Sequence, residues 1–290
     1  MNRYQMLILA IGIFACSWAG PLIRLADEAS FLYIATARLV IAAPIMIVVS
    51  LLGPKDSYRT LKIGVICLMV LSGIALAAHF AFWVSSISKT SILASVALVA
   101  MSPLFAALGG WMFLGERPNA RVLSGILVSF CGASALLISD FKDVGNLSGD
   151  IYAFIGAILA SIYLLIGRYV RQRVEMSVYA AVVYSVGAIV LLITFLSRET
   201  LTFNYEVNTY IFVLLLALVP QLIGHNAINY SLGFAPAAIV ALAILGEPVG
   251  SSLIAALFLD EIPSIFEIVV GGVILSGVYI GVRSGAISSS

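Results

Sequence analysis

The sequence predicts an all-α integral membrane protein, with ten transmembrane helices arranged as two inverted five-helix repeats. Three observations carry that prediction. Hydrophobic residues make up 62% of the chain and charged residues only 10%, whereas soluble domains are about 25% charged. The chain divides into ten apolar stretches, each near the roughly 20 residues that a helix needs to cross a bilayer. One block also occurs twice. Ser102-Pro103 … Leu114-Gly115-Glu116-Arg117-Pro118 returns as Glu247-Pro248 … Leu259-Asp260-Glu261-Ile262-Pro263. The opening prolines, the closing glutamates and the closing prolines are each 145 residues apart, half of the 290-residue length. A fixed offset of this kind is the mark of an internal duplication.

In chain order the predicted spans are residues 5–23, 31–52, 63–85, 91–114, 121–139, 150–170, 177–196, 209–230, 235–259 and 264–282. The first imitates a secretory signal, since Arg3 precedes the apolar run 6–15 and Ser17-Trp18-Ala19 stands ahead of Gly20. The repeat nevertheless needs this segment as its first helix. Gly53-Pro54-Lys55-Asp56 closes the second span, and Gly115-Glu116-Arg117-Pro118-Asn119 separates the fourth from the fifth. Asp140 to Gly149 separates the halves. No loop is long enough to hold a soluble domain.

The offset of 145 also maps Ala15 onto Ala160, Trp18 onto Tyr163 and Gly132 onto Gly277. The halves are therefore residues 1–145 and 146–290, with five spans each. Five is odd, so the second copy enters the membrane from the opposite face, the plan of many secondary transporters. Two inverted copies can exchange conformations and open a central site first to one side and then to the other. Loops on the N-terminal side carry ten Lys and Arg residues (Arg3, Lys55, Arg59, Lys62, Arg117, Arg121, Arg168, Arg171, Arg173, Arg283). The opposite loops carry four (Arg24, Lys89, Lys142, Arg198). This asymmetry places both termini in the cytoplasm.

The five-plus-five plan and the paired Pro … Leu-Gly-Glu and Pro … Leu-Asp-Glu blocks resemble the EamA-type branch of the drug/metabolite transporter superfamily. So do Arg38 in the second span and the glycine-spaced fifth and tenth spans. The resemblance covers essentially the whole chain. It implies a carrier of the inner (cytoplasmic) membrane, with many relatives exporting amino acids and related metabolites. It further implies a cavity between the halves, lined by spans one, three, four, six, eight and nine, with spans five and ten as a supporting rear element. Ser102-Pro103 stands where many relatives place Glu-Pro, which weakens any symmetric role for Ser102 and Glu247.

Polar side chains deep in a bilayer are costly and face a cavity or a partner. Glu247, near the middle of the ninth span and beside Pro248, can bind a substrate amine or a proton, or can position a helix bend. His79, among aromatics in the third span, can bond a substrate or another helix. Gln221, His225 and Asn229 recur every fourth residue in the eighth span and share one helical face, which reads as cavity lining. Trp18 and Tyr163, related by the repeat, can stack on a substrate or serve as packing. Arg38, in the outer third of the second span, can pair with an anionic substrate group or with an acid of the outer loops, and its place in the family pattern favours a scaffold role. Glu116 and Glu261 read as caps or charge partners for the following helices. Gly125, Ser129 and Ala133 in span five, and Gly277, Gly281 and Gly285 toward the end of span ten, form small-residue faces for helix packing or a dimer contact. Cys16, Cys67 and Cys131 sit in apolar runs without metal-ligand or disulfide spacing and read as small buried residues.

Other functions are disfavoured. Net charge is +1, and no basic patch argues for nucleic acid. No P-loop, His-Glu-x-x-His or Gly-x-Ser-x-Gly motif occurs, so neither a catalytic residue, a metal site nor a cofactor is expected. A channel would require a pore ring. The expected partners are a small-molecule substrate and the lipid bilayer, with the protein a monomer or weak homodimer. Uptake or exchange of a nucleobase or another scavenged metabolite is the competing transport reading.

Overall fold

A computed structural model describes residues 1–53, 58, 61–87, 89, 95, 98–99, 101–139, 147–200, 204–258 and 264–285. Among them the chain is helical and has no strand. Helix α1 (Arg3–Ser17) starts from a reciprocal cap. The Asn2 side chain accepts from the Gln5 amide, and the Gln5 side chain accepts from the Asn2 amide. The helix stops at Trp18, and the crossing continues as α2 (Ala19–Leu25). Helix α3 (Phe31–Leu52) opens on Ser30, whose hydroxyl accepts from the Tyr33 amide. Then come α4 (Ile63–Ile87), α5 (Ser102–Leu114) and α6 (Ala120–Ser139). Gly115 ends α5 at φ 69°, a left-handed conformation that a side chain would strain.

The second half begins with α7 (Leu147–Arg171) and α8 (Met176–Arg198). The next crossing has three parts: α9 (Val207–Leu216), a π-helical segment (Ala217–His225) and α10 (Asn226–Ser231). Pro220 lies in the π segment, where its missing N–H disrupts the regular ladder. The following crossing is broken at Leu245-Gly246 into α11 (Ala237–Ile244) and α12 (Glu247–Phe258). Helix α13 (Ile265–Gly285) closes the described chain.

Seven described helical crossings are long and apolar enough to span a membrane, and three apolar helices are shorter: Ser102–Leu114, Ala120–Gly132 and Ile268–Arg283. The expected start of the fourth span falls partly on residues 91–94, 96–97 and 100, which lie outside the described residues. So do Pro54, Lys55, Asp56, Arg59, Asp140, Lys142, Asp143, Asp260, Glu261 and Pro263, with the loop and charge readings made for them.

The most extensive contacts pair α4 with α7, α3 with α8 and α6 with α13. Helix α1 runs along the π segment and α10, while α5 packs on α7 and α11. Where α6 crosses α13, a Cβ on Gly125 would stand 2.6 Å from the Gly277 carbonyl oxygen, and one on Gly277 would stand 2.7 Å from the Gly125 carbonyl oxygen. The Ser129 hydroxyl donates to the Ile274 carbonyl at 3.0 Å across the same crossing. The two small-residue faces thus meet each other within one chain.

Apolar side chains also cover the outside: Phe14, Leu52, Phe113 and Leu257 are all exposed, as befits a surface that meets lipid. Cys67 and Cys131 belong to this outer surface, and only Cys16 is buried. The expectation that all three cysteines are interior is therefore corrected. Both the inside and the outside of a bilayer protein are apolar, so an apolar neighbourhood in sequence does not indicate burial.

Candidate functional site

A cavity of about 80 Å³ lies where the helix breaks converge. Its walls include Cys16 from the end of α1, Arg38 from α3, and His79, Phe80 and Trp83 from α4. Ser102 begins α5, Tyr163 comes from α7, His225 ends the π segment and Glu247 begins α12. Both copies of the repeated block therefore place a helix start at this cavity. Pro103 and Pro248 are the second residues of their helices, where a missing N–H costs no intrahelical bond. The expected mid-helix Glu-Pro is a helix beginning, because the crossing is interrupted just ahead of it.

The break in the first crossing is held by α12, whose Ser251 hydroxyl donates to the Ser17 carbonyl at 2.6 Å. The Cys16 thiol donates to the Pro220 carbonyl at 3.7 Å, so the end of α1 is tied to the π segment. Opposite, the Ser161 hydroxyl donates to the Ser102 carbonyl at 2.9 Å. The Ser251 bond satisfies a carbonyl that the first interruption leaves without an intrahelical donor, since the residue four on is Pro21.

His79 Nδ1 is bonded to the Gly156 carbonyl at 2.9 Å, and its ring stacks on Trp83 with centroids 5.9 Å apart. The Tyr163 hydroxyl donates to Asn229 Oδ1 at 2.5 Å. Asn229 Nδ2 donates to the Tyr184 hydroxyl at 3.3 Å, and that hydroxyl donates to Asn226 Oδ1 at 2.8 Å. This chain of polar groups fixes Tyr163 at the cavity wall. Arg38 is 1% exposed, and its guanidinium carbon lies 4.2 Å from the Phe80 ring centroid. Arg38 and Glu247 bring opposite charges to one small space.

Three buried polar atoms on the cavity walls have no hydrogen-bond partner among the described residues: Arg38 Nε, Trp83 Nε1 and His225 Nδ1. Each such atom costs about 1–3 kcal/mol when left unsatisfied. A cluster of them marks a place where something else supplies the bonds.

Of the sequence candidates, Glu247, His79, Tyr163, His225 and Ser102 border this cavity, while Gln221 and Trp18 are not among its lining residues. Gln221 is fully buried, with both side-chain polar atoms unpartnered among the described residues. It parts from His225 because π-helical turns take more residues than α-helical ones, so positions four apart do not eclipse. Trp18 packs on Phe258 at 5.0 Å between ring centroids. Cys16 and Trp83 were missed as lining, and Arg38, weighed as a ligand for an anionic group, was favoured as scaffold. An arginine inside an apolar span was the available signal for Arg38, and nothing in the local sequence distinguishes Cys16.

A second recess, about 270 Å³, lies next along the same helices. Helix α5 gives Ser102 to the cavity and Ala106 and Gly110, successive turns on, to the recess. Helix α7 gives Ala160 and Leu164 to the cavity and Arg168 to the recess. At the recess Arg168 Nε meets Glu116 Oε1 at 2.6 Å, and Arg168 also donates to the Leu232 carbonyl at 3.1 Å. Glu116 is a charge partner, as expected, but of α7 in the other half rather than of the following helix. Among the described residues no three His, Cys, Asp or Glu side chains converge as metal ligands.

Residues 3–138 and 147–283 each match the EamA-like transporter family. A relative from Archaeoglobus fulgidus described as an uncharacterized transporter is 25% identical over 97% of this chain and 98% of its own length. A second from the same organism, with the same description, is 24% identical over 86% of this chain and 88% of its own length. The uncharacterized transporter YdfC of Bacillus subtilis is 24% identical over 69% of this chain and 66% of its own. One crystal structure superposes over 100% of both chains with a TM-score of 0.79 at 17% identity, a likeness of fold.

Proposed function

Since the chain belongs to the EamA-like transporter family, we propose that it is a secondary carrier working by alternating access. The observation that carries this reading is the small cavity ringed by interrupted helices and unpartnered polar groups. Ligand sites usually enclose about 300–1,000 Å³, so a cavity of about 80 Å³ suits a contracted state of a site that opens. The recess beyond it supplies the route on one side, with the Glu116–Arg168 pair in its wall.

In this reading ten helices form two inverted repeats, residues 1–145 and 146–290. The two family matches, on residues 3–138 and 147–283, support that division. The contacts support it too. Exchanging the halves maps the pairs α3–α8 and α6–α13 onto themselves, and maps α4–α7 onto the contact of α1 with the π segment and α10. The basic residues favour cytoplasmic termini in an inner (cytoplasmic) membrane. The substrate is an amino acid or related metabolite, exported, with Glu247 receiving its ammonium group. Energy comes from a gradient or from exchange.

The test is counterflow in proteoliposomes with a panel of amino acids, nucleobases and amphipathic amines. Saturable, trans-stimulated exchange of an amino acid is expected, and Glu247→Gln should abolish it while retaining the size-exclusion profile of the folded protein. Non-saturable flux of many solutes, or exchange untouched by Glu247→Gln, would overturn the reading.

A further inference from the structure

Arg38 borders the central cavity with almost no exposure, and a guanidinium at that depth is costly. A scaffold arginine would spend its donors on helix carbonyls or on a carboxylate. Here its Nε finds no partner among the described residues, and no direct ion pair to Glu247 is present among them. Its guanidinium carbon lies 4.2 Å from the Phe80 ring centroid, a cation–π contact that supplies no hydrogen-bond acceptor oxygen to its N–H groups. Two further unpartnered nitrogens, Trp83 Nε1 and His225 Nδ1, border the same cavity. The indole nitrogen can only donate, and the imidazole nitrogen donates in one tautomer.

We propose that Arg38, with Trp83 and His225, forms the subsite for a carboxylate on the transported molecule, facing Glu247 across the cavity. A planar carboxylate offers two acceptor oxygens that match the forked donors of a guanidinium. Its remaining lone pairs can take the indole N–H. The loaded site then satisfies polar atoms that the protein alone leaves without partners. The assignment rests on the carrier reading and adds to it a polarity for the bound molecule: anionic end toward α3 and α4, cationic end toward the start of α12.

The experiment compares alanine, threonine, leucine and phenylalanine with their four amides, which keep the amine and lose the anionic charge. Counterflow in proteoliposomes and thermal stabilisation in detergent are both read. The wild type should prefer each exchanged acid over its amide by about tenfold or more, the usual size of a hydrogen-bonded charge. Arg38→Lys keeps a positive charge without the planar fork, and Trp83→Phe removes a single donor while keeping an aromatic wall. Both should reduce the acid preference severalfold in protein that still elutes as folded.

Amides exchanged as well as acids would overturn the subsite and leave the carrier reading intact. Full acid preference in both variants would do the same. If none of the eight compounds is exchanged but the wider panel yields a substrate lacking a carboxylate, the subsite falls alone. If no solute shows saturable exchange, both readings fall.

Discussion

Gly125 offers the sharpest test of the packing that holds the two halves together. A Cβ there would stand 2.6 Å from the Gly277 oxygen, 2.8 Å from the Gly281 nitrogen and 2.9 Å from the Gly281 Cα. All three atoms are backbone, so no side chain can rotate aside. Ordinary contact begins near 3.4 Å, and a leucine requires α6 and α13 to part further still. Overpacking costs about 1–3 kcal/mol, and a leucine belongs at the upper end. Better helix propensity returns up to about 0.8 kcal/mol, leaving a net loss of about 2 kcal/mol. For a chain of this size that lowers the unfolding midpoint by about 4–8 °C.

Gly272 lies on the same α13 but is exposed, and a Cβ there meets nothing within 4 Å. Gly272→Leu should therefore gain only the propensity term, between 0 and about 1 kcal/mol. The assay is a heat ramp in detergent followed by tryptophan fluorescence, with size exclusion at each step. Equal midpoints for the two variants would refute the crossing. So would a Gly125→Leu protein of unchanged stability that has merely changed its oligomeric state, since the face would then meet a second molecule.

Three further outcomes follow from the same geometry. Arg168→Gln and Glu116→Gln, combined in a double-mutant cycle, should show a coupling of about 1–3 kcal/mol, the range for a partly buried charge-assisted bond; a coupling near zero would remove the pair as a link between halves. Pro220→Ala restores a backbone donor in the π segment, so thermal stability should hold or rise while exchange slows, because a regular helix re-aims His225 away from its place in the cavity; unchanged exchange would show that the π geometry is incidental. Ser251→Ala leaves the Ser17 carbonyl without its 2.6 Å donor and should cost about 1 kcal/mol, read as a small fall in the thermal midpoint; no fall would mean that water replaces the bond.

The crossings were legible because hydropathy and spacing record how much chain lies in lipid. Phe31–Leu52 was delimited to the residue and its closing Gly53 was read as punctuation, while the structure adds Ser30 as its cap. The interruption at Trp18 was not read, although Pro21 cannot donate to the Ser17 carbonyl, and Glu247-Pro248 was read as a place for a bend rather than as a helix start after Leu245-Gly246. Carbonyls at the breaks are taken up by Ser251 and by neighbouring backbone.

The site was legible in part for the same reason. Polar residues inside spans identified Glu247, His79 and His225, because burial without a purpose is costly. Which face of each helix turns inward depends on partners 100 or more residues away, so Arg38 was weighed as ligand but favoured as scaffold, and Cys16 was read as filler. Gln221 was placed with His225 by α-helical spacing that the π segment does not obey. Trp18 shows the limit of the repeat itself. Its mate Tyr163 borders the cavity while Trp18 packs on Phe258, because a duplicated chain path leaves side-chain surroundings free to diverge.

The natural thiol at the cavity wall allows the most direct measurement of alternating access. Cys16 is buried there, whereas Cys67 and Cys131 are on the outer surface. With Cys67→Ala and Cys131→Ala in place, Cys16 is the remaining thiol, and a small membrane-impermeant thiol reagent can be applied to right-side-out and to inside-out vesicles. The account predicts labelling of Cys16 from both faces, slowed from both by an exchanged solute. Labelling from neither face, or from one face alone under every loading condition, would contradict it.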